Sequence, residues 1–74
     1  MNGPDLPEPN QPMTSEAFRY RWPTGTEKTE LIEGVIVFYG DFDERDARTA
    51  RQTYPGRRIT IDPGGALRVH PATG

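Results

Sequence analysis

The sequence predicts a small α+β domain: a short N-terminal helix, a β-hairpin, an α-helix and a second β-hairpin, with about four antiparallel strands packed against one helix. Three observations point there. Between Thr26 and Tyr39, apolar and β-branched residues stand on both sides of a Glu33–Gly34 turn signal. From Asp43 to Tyr54 a capped helical pattern runs until Pro55–Gly56 stops it. From Ile59 to Val69, apolar and polar residues alternate around Asp62-Pro63-Gly64-Gly65.

A chain of 74 residues has room for one such domain. A folded region this small hides only about 60% of the surface its unfolded chain exposes, so its stability needs support. Cysteine is absent, which excludes disulfides and thiolate metal sites, and His70 is the single histidine. Self-association or a protein partner is the expected source of support. A formal charge of −2 gives the whole molecule no attraction for polyanions. All the basic residues except Lys28 are arginine, a bias typical of a GC-rich bacterial genome. There is no basic segment leading into an apolar one at the N-terminus, and no apolar run of about 18 residues. The expectation is a cytoplasmic protein without a cofactor and without a membrane contact.

Taken in order, residues 1–13 hold Pro4, Pro7, Pro9 and Pro12 with Leu6 nearly alone as an apolar side chain, and read as a disordered tail. The domain is expected over 14–71, with 72–74 frayed. Thr14 is a helix cap ahead of Ala17 and Phe18, and Pro23 limits this first helix to one or two turns. Phe18, Tyr20 and Trp22 alternate with Arg19 and Arg21. That pattern suits either a base-stacking platform or an aromatic cover for the sheet, and the shortage of core material favours the cover.

In the first hairpin, a two-residue Glu33–Gly34 loop puts Leu31, Ile36 and Phe38 on one face. Ile32, Val35, Val37 and Tyr39 fall on the other. Both faces are apolar, so both are expected to be covered, the second by the Phe18–Trp22 segment or by another molecule. In the following helix Asp43 is the N-cap, Asp46 completes a capping box, and Phe42 is placed to staple onto Ala47. Glu44 is spaced to pair with Arg48. Ala47, Ala50 and Tyr54 form a narrow apolar stripe. The second hairpin has one apolar face, carrying Ile59, Ile61, Leu67 and Val69, and one polar face.

No catalytic or cofactor pattern emerges. Asp41, Asp43, Glu44 and Asp46 resemble an acidic cation loop, but a calcium loop ends on a glutamate about eleven residues after its first ligand, where this chain has Gln52. Helix capping accounts for the same carboxylates. Ser15 has no nucleophile-elbow context, Gly64–Gly65 is not followed by a phosphate-loop lysine, and His70 has no carboxylate beside it in sequence. Arg45, Arg48 and Arg51 recur every third residue, and Arg57 and Arg58 follow after the turn. These five are the candidate nucleic-acid contacts, diluted by the neighbouring carboxylates.

Met13-Thr14-Ser15-Glu16-Ala17-Phe18, followed by Thr29-Glu30-Leu31-Ile32-Glu33-Gly34-Val35-Ile36-Val37, resembles the N-terminal segment of the Uma-type family of restriction-endonuclease-like proteins. Those proteins are similar to PD-(D/E)xK nucleases, and the resemblance covers roughly residues 13–39. It implies an acidic residue on one strand and an acid-x-lysine triplet on the next, holding a metal ion. Here Lys28 is preceded two positions earlier by Thr26, so the triplet is absent; Glu30 and Glu33 match the family's acidic hairpin positions only. No metal site and no enzymatic activity are therefore expected. The function expected is a non-catalytic protein-interaction module, a relative of that family without its catalytic core, that binds or self-associates through Leu31, Ile32, Val35, Val37, Tyr39 and Trp22. The alternative is weak nucleic-acid association through the five arginines.

Overall fold

A computed structural model of the chain describes residues 6–19, 21–23, 26 and 28–72. Tyr20 of the aromatic–arginine alternation lies outside the described residues, as do residues 1–5 of the expected tail and 73–74 of the expected frayed end. Helix α1 (Ser15–Phe18) is a single turn, capped by Thr14, whose hydroxyl accepts from the Ala17 N–H at 3.3 Å. Strands β1 (Lys28–Ile32) and β2 (Val35–Tyr39) pair antiparallel with Ile32 opposite Val35. Glu33 and Gly34 have φ of 49° and 80°, the left-handed pair of a type I′ turn. Helix α2 (Glu44–Thr53) opens with the full capping box: Asp43 accepts from the backbone of Arg45 and Asp46, and the Asp46 carboxylate accepts from the Asp43 N–H at 2.9 Å. Strands β3 (Arg58–Ile61) and β4 (Leu67–His70) form the second hairpin.

The four strands make one antiparallel sheet in the order β1-β2-β4-β3, so β2 and β4 are central and β1 and β3 are edges. Register puts Leu31 opposite Ile36, Phe38 opposite Leu67, and Ile36 and Ile59 opposite Val69, so that each of the four strands contributes apolar residues to one face, while Ile32, Val35 and Val37 fall on the other. Against that face lie Ala50 of α2 and its C-cap Tyr54, together with Met13 and Ala17. Small alanines let the helix approach closely, and Tyr54 satisfies its buried hydroxyl by donating to the Trp22 carbonyl at 2.7 Å. Burial pushes the Tyr54 hydroxyl pKa far up.

Two expectations about coverage change. Phe18 packs edge-on against Phe38, with ring centroids 6.0 Å apart, and Trp22 packs edge-on against Phe42 at 6.1 Å. Phe38 belongs to the core face, so the Phe18–Trp22 segment reinforces the face that α2 covers instead of closing the second one. Phe42, placed to staple onto Ala47, has its ring engaged with Trp22.

The packed unit also begins before Thr14. Met13 is 3% exposed within the core, and its N–H donates to the Gly34 carbonyl at 3.1 Å. Pro12 lies so close to the turn that a Cβ at Gly34 would sit 2.5 Å from its Cβ. Pro9 occupies the equivalent space at Gly56, 2.8 Å from where a Cβ would stand. The Pro9 carbonyl accepts from the Ala72 N–H at 2.7 Å, which ties residue 72 back to the domain. Leu6 packs against the core as well. Residues 6–13 thus form a strap laid over the ends of the first hairpin and α2. A proline-rich segment is suited to this, because its restricted backbone has less conformational entropy to lose on docking.

Candidate interaction surface

On the face opposite α2, the register sets out a grid of side chains. Lys28 lies opposite Tyr39; Glu30, Val37, Arg68 and Thr60 form one row; Ile32 pairs with Val35, and Arg58 with His70. No described element covers this face, yet Val37 is only 4% exposed. The row explains why: Val37 is flanked by Glu30 on one strand and Arg68 on the other, and both long side chains are fixed. Tyr39 donates to the Glu30 carboxylate at 2.6 Å, and Lys28 stands 4.0 Å from the same carboxylate and 5.5 Å from the centre of the Tyr39 ring. Arg68 donates to Asp62 at 2.7 Å. Their methylene stems cover apolar surface while their polar ends stay wet. The second face is closed by its own polar side chains, which corrects the expectation that another layer must lie on it.

The same contacts set the local ionisation. The bond to Glu30 is the main reason the Tyr39 hydroxyl pKa is raised. Arg68 beside it, then the N–H groups of Ala66 and Gly64, hold the Asp62 carboxyl below the usual range. His70, which has no carboxylate beside it in sequence, is partly buried and shares a 2.8 Å hydrogen bond with Thr60. Burial first, and then the charges of Arg58 and Arg68, lower its pKa.

What stays uncovered is the β1 edge. Leu31 and Ile32 are 37% and 50% exposed, the exposed large apolar side chains among the described residues. They are adjacent in one edge strand and point to opposite faces of the sheet. A type I′ turn is closed by the bond from the Val35 N–H to the Ile32 carbonyl, which makes Ile32–Val35 a hydrogen-bonded pair. Alternation along an antiparallel ladder makes Glu30–Val37 the next such pair, so the backbone groups of Thr29 and Leu31 point outward. Nothing among the described residues pairs with them. Beside Thr29, on the α2 side of the sheet, is a cavity of about 380 Å³ walled by Phe18, Pro23 and Phe38, with Ser15, Arg19, Thr26 and Thr29 completing its lining.

The sequence-derived interaction set is thereby divided. Ile32, Val35, Val37 and Tyr39 share the open face, Leu31 projects from the edge toward the helix side, and Trp22 is packed on the core. The five arginines are divided too. Arg45, Arg48 and Arg51 are exposed on α2, where Arg45 pairs with Asp43 at 3.3 Å and Arg51 with Glu44 at 3.7 Å. Glu44 therefore serves Arg51, not Arg48. Arg58 stands on the open sheet face. Arg57 is 6% exposed and donates to the Glu8 carbonyl at 3.0 Å, with its Nη1 buried and unpartnered and its pKa lowered by desolvation. It is a strut under the strap and not a phosphate contact, which corrects its assignment to a basic surface.

Among the described residues no group of three or more histidine, cysteine, aspartate or glutamate side chains is placed to hold a metal ion, and no helix is long and apolar enough to cross a membrane. No known protein family, curated protein or solved structure matches the chain.

Proposed function

We propose that this chain is a non-catalytic protein-interaction module that binds through the β1 edge of its sheet. The observation that carries the reading is the adjacency of Leu31 and Ile32, exposed on an edge strand whose outward backbone groups have no partner among the described residues. A strand added there would gain main-chain hydrogen bonds and cover an apolar side chain on each face of the sheet, the physics of strand addition. Edge strands are normally blunted by charge, proline or a bulge, and an apolar pair at this position is a costly exposure in so small a domain. The resemblance of residues 13–39 to Uma-type proteins fits a relative in which the hairpin is kept without the acid-x-lysine triplet. The arginines do not converge on one surface, so nucleic acid has no comparable support.

A photo-crosslinking residue at Ile32, compared with the same residue at exposed Gln52 on α2, tests the reading in the native host. The expected result is one saturable adduct at position 32, lost on adding Leu31→Asp, with none at 52. No adduct at position 32 would reject an interaction module working through this edge.

A further inference from the structure

We infer that the strand received by the β1 edge is β1 of a second copy, paired antiparallel about a two-fold axis at Glu30, with Leu31 of each copy entering the cavity beside Thr29 of the other. This rests on the reading of β1 as the binding edge.

The inference comes from a knob and a hole carried by the same strand. Leu31 projects to the α2 side of the sheet, and the cavity opens on that side next to Thr29, two residues earlier. In an antiparallel pair centred on Glu30, Leu31 of one copy lies opposite Thr29 of the other, and the relation is reciprocal. That self-complementarity is what a two-fold interface requires. The ladder agrees. Thr29 and Leu31 are the residues whose backbone groups point outward, so Thr29–Leu31 becomes the hydrogen-bonded pair, and it occurs twice.

Charge and apolar cover agree as well. Two Glu30 side chains face each other, an arrangement that is unfavourable if they are isolated. Each is already hydrogen-bonded by Tyr39 and stands 4.0 Å from its own Lys28. Each Lys28 also lies diagonal to the Glu30 of the other copy, giving a quartet of two ammonium and two carboxylate groups with no net charge. On the same face Ile32 falls opposite Lys28 of the other copy, whose methylenes cover it. The competing register, centred on Leu31, places Thr29 opposite Glu33. Glu33 is already in the turn at φ 49°, so that register keeps a single hydrogen-bonded pair and leaves both cavities empty. The centred arrangement joins two four-stranded sheets into one continuous sheet.

Because the chain has no cysteine, single-cysteine variants of the full chain report the register directly. Glu30→Cys places two thiols at a non-hydrogen-bonded pair, where Cα atoms are about 4.5 Å apart and a disulfide closes without backbone movement. Lys28→Cys places its two copies about 13 Å apart along the strands, beyond bridging. Under mild oxidation Glu30→Cys is expected to give a disulfide-linked dimer of the 8.3 kDa chain, while Lys28→Cys and Leu31→Cys form no intermolecular disulfide. Wild type should sediment as a reversible dimer, and Leu31→Asp should weaken its association at least tenfold with an unchanged circular dichroism spectrum.

Bridging through Leu31→Cys in place of Glu30→Cys, or equal bridging at 28 and 30, would overturn the arrangement. So would a strictly monomeric wild type at high micromolar concentration, a measurement independent of whether any variant folds. A monomeric wild type whose Ile32 photo-adduct contains a different protein would overturn the dimer and leave the interaction module standing. No adduct at all would overturn both.

Discussion

Met13→Ala is the most direct test of whether the proline-rich N-terminal segment belongs to the folded unit. Met13 is 3% exposed and lies in one cluster with Ile36, Phe38, Tyr54, Leu67 and Val69. Truncating a fully buried methionine to alanine removes its transfer free energy and leaves a partly collapsed cavity, about 2–5 kcal/mol in well-packed cores. The strap can settle into part of that space, so about 2–3 kcal/mol is expected here. A domain of 74 residues has a total stability of roughly 4–11 kcal/mol. The loss is therefore a large fraction of the whole and corresponds to a melting temperature lowered by about 10–20 °C. Urea denaturation followed by the fluorescence of Trp22, the single tryptophan, measures it, with exposed Asn10→Ala as the control. If residues 6–13 were a tail, both variants would fall within about 0.5 kcal/mol of wild type, and that result would refute the strap.

Gly34→Ala is expected to cost at least about 2 kcal/mol in the same assay, because a left-handed alanine is strained and its Cβ would press on Pro12 2.5 Å away. Stability should also fall on acidification in two steps. The folded-state pKa of His70 lies below the ordinary value of about 6.5, so the unfolded chain binds the proton first. Its contribution is complete above pH 6.5 and is lost as pH falls from there through the folded-state value. Asp62, also lowered, contributes above the ordinary carboxylate range and is lost as pH falls below it. Melting temperatures across a pH series should show the first step disappear in His70→Gln and the second shrink in Asp62→Asn, the remainder belonging to the N-cap Asp43, whose carboxyl is also held low, chiefly by the Asp46 N–H. A His70→Gln profile identical to wild type between pH 7 and 5 would contradict the histidine assignment.

The elements that local chemistry determines were legible from the sequence. A two-residue loop at Glu33–Gly34 fixes the register of the first hairpin, and register with period two sorts Leu31, Ile36 and Phe38 from Ile32, Val35, Val37 and Tyr39. Asp43 and Asp46 announce the start of α2, and the Ala47–Ala50–Tyr54 stripe announces its buried side. Elements held by distant partners were not legible. Proline content describes how the strap behaves alone, whereas its docking depends on space at Gly34 and Gly56 and on an arginine 49 residues away from Glu8. Arg57 and Arg58 are adjacent and chemically identical, yet one is buried and one exposed. The difference is made by the strap over the first and by the outward β3 position of the second, and only the second follows a pattern readable in sequence.

The doubly apolar hairpin shows how a small domain can dispense with a second layer and still leave one place unfinished. Val37 sits in the middle of the open face, where Glu30 and Arg68 flank it and are themselves held by Tyr39 and Asp62. That device needs a neighbouring strand on each side to supply the long side chains. Val37 has both. Leu31 and Ile32 have a strand on one side only, so no cross-strand side chain exists to cover their outer flanks. On the other edge, α2 packs beside β3, and Ile59 and Ile61 are half-buried. Lys28 and Glu30 would ordinarily blunt the β1 edge, but their side chains are committed to Tyr39 on the open face. The outward amides of Thr29 and Leu31 are left without a carboxylate or ammonium group held over them, and Arg19 is the one charged residue among those lining the cavity beside them; it is there that this fold has most to gain from a partner.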